Sequence, residues 1–167
     1  QQPAEHMTGK SLLPVLRDDT PVRDAAMFGM FGAQLNVTDG RYVYYRNPVG
    51  PSNGPLHEHT LMPTHMRHTF APKEFEKVEL VEPFNFTKNC KLMRMPTGGG
   101  MPGGEDFGDM FTTALYDVQA DPQQTAPITD PLVEERMVQH AVRLMREVDA
   151  PPQQYERLGL TQAMSAV

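Results

Sequence analysis

The alternation of apolar and polar positions is clearest between residues 25 and 46, where it predicts an antiparallel hairpin. Leu35, Val37, Tyr42 and Tyr44 flank Asp39-Gly40. That dipeptide suits a two-residue type I′ turn, because both positions tolerate positive φ. Such a turn pairs Thr38 with Arg41, Val37 with Tyr42 and Leu35 with Tyr44. The last two pairs share one face with Ala33, while Asn36, Thr38 and Arg41 lie on the other. One apolar and one wet face describe a hairpin packed on a core. Further strands are expected at 56–62, stopped by Pro63, and at 75–81, 87–95 and 111–118, the last ended by Asp121-Pro122. A Pro- and Gly-rich loop fills 47–55, and 97–108 holds six glycines and one proline, a flexible loop by composition.

The periodicity then changes from two to 3.6. Asp130 is placed to cap a helix whose first residue is Pro131, where the missing N–H costs nothing. Val133, Met137, Ala141, Leu144 and Val148 form an apolar stripe as wide as one core-facing side. Glu134 and Glu135 near the start and Arg143 and Arg146 near the end suit the helix dipole. Asp149-Ala150-Pro151-Pro152 stops the helix; a short helical turn over 153–158 follows, with Gly159 as its C-terminal cap. Strands first and helix last, without alternation, imply an α+β fold: a small, loop-rich antiparallel sheet with one main C-terminal helix packed on it. Residues 1–24 read as an irregular lead-in, 25–160 as the domain and 161–167 as a tail.

Composition narrows the function more than the fold. At 167 residues the chain fits one domain. Sixteen prolines and thirteen glycines, with a mean hydropathy of −0.48, argue for loops rather than a bundle. Net charge is −6 and the cations are scattered, so the basic face a nucleic-acid partner needs is missing. No run approaches the roughly 20 apolar residues of a membrane span. The start, Gln1-Gln2-Pro3-Ala4-Glu5, has neither the cationic nor the apolar part of a signal peptide. It runs almost at once into an apolar segment, which reads as a piece of something longer. The lone Cys90 excludes an internal disulfide.

Several segments, in order, resemble the C-terminal part of bacterial sulfatases of the arylsulfatase type, in the alkaline phosphatase superfamily. Gly9-Lys10-Ser11-Leu12-Leu13-Pro14-Val15-Leu16 is similar to the "G-K/R-S-L-x-P-L-L" segment that closes their catalytic domain. Residues 36–44, Asn-Val-Thr-Asp-Gly-Arg-Tyr-Val-Tyr, resemble the hairpin that follows it. Residues 60–67 and 84–88 match further patterns of the group, and 115–122 is similar to the "L-Y-D-L-x-x-D-P" strand and turn before the terminal helix. The resemblance spans residues 9 to about 160. It implies a non-catalytic domain packed on a larger N-terminal catalytic domain, a bacterial source, and a cytoplasmic or periplasmic compartment.

What the resemblance implies about chemistry is mostly absent from this chain. Sulfatases use a formylglycine made from the Cys or Ser of a C/S-x-P/A-x-R motif, and a calcium held by Asp and Asn oxygens polarises the sulfate. Cys90-Lys91-Leu92-Met93-Arg94 has that separation but carries Leu92 where Pro or Ala is required. Cys90 is therefore expected to be a buried or half-buried thiol in a strand, and Asp18-Asp19 a solvated turn. No catalytic or cofactor-binding residue is assigned, and the chain alone is expected to be inactive. The weak metal candidates are His57 and His59, two apart on a strand and so on one face, with His65 and His68 nearby. The glycine loop precedes Glu105-Asp106, which would repel a phosphate. Two rival readings stand beside the sulfatase one: a free-standing interaction module with a polar, self-sufficient surface, and a metal-binding protein built on the histidines. The sulfatase reading expects instead an exposed apolar face where the missing domain docks, a face that would also serve to join copies.

Overall fold

A computed structural model describes residues 9–50, 53–65, 67–97 and 112–166. The fold is α+β. A four-stranded antiparallel sheet has the order β1 (Ala26–Phe28), β2 (Leu35–Thr38), β3 (Tyr42–Arg46), β7 (Ala114–Asp117). A three-stranded antiparallel sheet has the order β4 (His57–Thr60), β6 (Leu92–Pro96), β5 (Glu79–Val81). Helix α2 (Pro131–Glu147) packs on the first sheet, preceded by α1 (Leu13–Asp18) and followed by α3 (Pro152–Arg157) and α4 (Thr161–Ala166).

The hairpin forms with its predicted face but not its predicted turn. Thr38 pairs with Val43 and Val37 with Tyr44, and Asp39 N–H bonds the Tyr42 carbonyl, which leaves Gly40-Arg41 as the turn. Only Gly40 has positive φ, +93°, as a type II′ turn requires and a type I′ turn does not. The Asp39 carboxylate explains the slide. It accepts from the N–H groups of Arg41 (3.0 Å) and Tyr42 (2.8 Å), so aspartate serves better before the turn than in it. Moving the register by two residues keeps parity. Val37 and Tyr44 remain in the core, with Leu35 and Tyr42 packed against it.

Asp130 caps α2 as expected, its Oδ1 accepting from the N–H groups of Leu132 and Val133. The buried stripe, however, is Val133, Met137, Ala141, Val142 and Met145. Leu144 is only partly buried and Val148 is 42 % exposed. The helix serves two cores. Its first half joins Val37, Tyr44 and Leu115, while Val142 and Met145 join Tyr155, Leu158 and Leu160 beyond the helix. A second surface covering its far end turns the buried stripe away from the simple four-four-three-four pattern. The supposed tail forms that cover: α4 packs Ala163 and Met164 on the second core.

Two expected strands begin later than predicted. Residues 72–77 form a 3-10 helix before β5, and 87–91 turn before β6. Lys88 and Asn89 sit at φ +52° and +62°, which no strand allows. The lead-in is not wholly irregular, since α1 lies within it. The expected strand start at 111 and the glycine loop, apart from Thr97 and the neighbouring 112, lie outside the described residues.

Candidate functional site

The sequence-nominated histidines fall into two separate pairs. His57 and His59 lie on β4, opposite Pro96 and Arg94 of β6. Arg94 in turn pairs with Glu79 of β5, so a row His59–Arg94–Glu79 crosses the small sheet. The His59 ring rests on Phe84 at 5.2 Å. Burial first, then the neighbouring His57 and Arg94, hold its pKa below the usual histidine value. His57 Nδ1 is buried without a hydrogen-bond partner. The second pair sits in the turn bridged by Thr64 and Thr69, where the His65 ring lies tilted against His68 (4.7 Å) and Phe70 (4.6 Å) and meets Glu74 Oε1. Pro63 separates the pairs, and an arginine rather than a carboxylate faces His59.

Among the described residues no three His, Cys, Asp or Glu side chains converge as a metal would need. Asp18 and Asp19 close α1 at the surface, Asp19 being its left-handed cap. Cys90 corrects the expectation of a half-buried strand thiol. It is exposed in the turn before β6, because Lys88 and Asn89 bend the chain there. Arg94, its motif partner in spacing, is a strand residue committed to Glu79.

What the fold does assemble is a surface and a clasp. Helix α1 buries none of its residues, and Leu12, Leu13, Val15 and Leu16 all face solvent, Leu16 at 80 % exposure. Phe28, Met30 and Phe31, at and beyond the end of β1, are exposed as well. A six-residue helix gains too little from its own hydrogen bonds to persist in water, so it needs a cover to be well populated. The residues were legible as apolar in sequence; that they stay uncovered was not.

The clasp was missed altogether, because nothing local marks it. Arg157 of α3 is 5 % exposed. Its guanidinium donates to Asn53 Oδ1 (2.6 Å), Gln154 Oε1 (3.0 Å) and the Ala33 carbonyl (3.1 Å). All three acceptors are neutral, and burial draws its pKa downward. It ties the 47–55 loop and the segment before β2 to the C-terminal helices. Beside it, Arg46 donates to the carbonyls of Leu158 and Gly159 and to the Tyr44 hydroxyl, which itself donates to Glu134. No family model matches the chain, and neither a curated protein nor a solved structure is significantly similar to it.

Proposed function

We propose that this chain is the non-catalytic C-terminal portion of a sulfatase-type sulfuric ester hydrolase, which packs on an N-terminal catalytic domain and helps shape its cleft. The ordered motifs support the reading, and the observation that carries it is α1. The segment that resembles the end of the sulfatase catalytic domain is the one that presents four large apolar side chains to solvent and buries none. A self-sufficient interaction module would keep such a helix polar or covered. Calcium and formylglycine belong, on this reading, to the partner domain.

Two measurements test it. With 4-nitrophenyl sulfate the chain alone gives no turnover, while the longer protein, carrying a C/S-x-P/A-x-R motif upstream, hydrolyses it. Turnover by the isolated chain, or a reading frame without that motif, overturns the proposal. Leu16→Asp leaves the melting temperature of the isolated chain unchanged, because the side chain touches no core, yet it destabilises the longer protein. Equal indifference in both excludes α1 as the contact.

A further inference from the structure

A cleft of about 410 Å³ opens between β1 and the last turns of α2. Residues 23–27 form one wall, Arg143, Leu144, Glu147 and Val148 the other, and Lys10 contributes as well. No residue of β2 lines it, so it is formed by β1, the segment before it and the end of α2. β1 is an outer strand of its sheet, and among the described residues no strand pairs with its free edge. An unpaired edge offers outward N–H and C=O groups to an added strand.

The charges select what kind of strand. Both carboxylates of the cleft are spent on one arginine: Asp24 and Glu147 meet Arg143 at 2.8 Å and 2.9 Å. His140 lies 3.9 Å from Asp24 and faces the same pair. Lys10 and Arg23 have no ion-pair partner among the described residues. The cleft thus keeps two uncommitted cations beside an apolar wall of Leu144 and Val148.

We infer that this cleft is a docking groove for an extended acidic polypeptide segment, which adds to β1 as a further antiparallel or parallel strand. Side chains on a strand alternate, so apolar residues of the segment meet Leu144 and Val148 while carboxylates between them reach Lys10 and Arg23. With about 3.3 Å per residue, the three residues of β1 hold roughly 10 Å of the segment. The inference does not depend on the sulfatase reading.

The probes are an acetylated pentapeptide alternating valine with glutamate and its lysine counterpart, titrated into the chain and followed by fluorescence polarisation and amide exchange. The glutamate peptide binds about tenfold more tightly than the lysine one and slows exchange at residues 25–28. Affinity falls with added salt. The pair Lys10→Glu and Arg23→Glu, both exposed and without an ion-pair partner among the described residues, reverses the preference with an unchanged circular dichroism spectrum. Absence of binding, equal affinity for both peptides, competition by inorganic phosphate at the peptide's own affinity, or self-association of the chain through β1 each overturns the proposal.

Discussion

At the scale of single residues, the buried guanidinium of Arg157 governs more of the structure than any candidate the sequence nominates. Replacing it removes the hydrogen bonds it gives to Asn53 Oδ1, Gln154 Oε1 and the Ala33 carbonyl. Arg157→Met is expected to cost about 2–3 kcal/mol in urea denaturation, from lost hydrogen bonds rather than lost volume. His59 gives a second prediction. Its folded pKa lies below the ordinary 6.5, so the unfolded chain binds the proton first. Stability is therefore full above pH 6.5 and falls as pH drops through the folded value. His59→Phe should flatten that acid limb while leaving the neutral-pH midpoint nearly unchanged. An identical acid limb in the variant would assign the effect to other groups. Arg157 does not advertise itself: an arginine followed by leucine and glycine reads as a surface cation, and burial is a property of what lands beside it.

At the scale of elements, the signals that held are those closed within a few residues. Asp130-Pro131 starts α2, and Gly159 at φ +64° follows the end of α3. Asp130→Ala should remove about 1 kcal/mol, measured as a lower thermal midpoint, because two backbone N–H groups lose their acceptor. The signals that misled needed distant partners. The α2 stripe was read as facing one surface, but α3 and α4 supply a second, which buries Val142 and Met145 and leaves Val148 outside. The hairpin register slipped for a local reason of its own, since the aspartate side chain captured the N–H groups of the turn. For the docking candidate α1, sequence identified the greasy residues; only the fold establishes that nothing in the described chain covers them.

At the scale of the whole molecule, stability is unevenly distributed. Both main clusters of buried side chains belong to the first sheet and the C-terminal helices, and none of their residues comes from β4, β5 or β6. The small sheet buries Leu92 and Met95, and Leu56 just before β4, without joining either cluster. It also holds the buried, unpartnered His57 nitrogen. Amide exchange should accordingly be fastest in β4, β5 and β6 and slowest in β3 and α2. Uniform protection across both sheets would contradict this division. Among the described residues, polar contacts that fasten the halves include Asn85 to Asp149 and to the Glu147 carbonyl, and Asn53 to the Gly32 carbonyl and to Arg157.

The amino-acid sequence alone determined the fold class, the main helix with its cap, the apolar face of the hairpin, and the absence of a sulfatase nucleophile motif. Each is either a short-range rule or a matter of residue identity. The tertiary structure decided which apolar residues are covered, that Arg157 is buried among neutral acceptors, that Cys90 is exposed, and that His57 and His59 lie apart from His65 and His68. Burial and convergence depend on segments far apart in the chain, such as 33, 53 and 157, whose meeting no local pattern encodes.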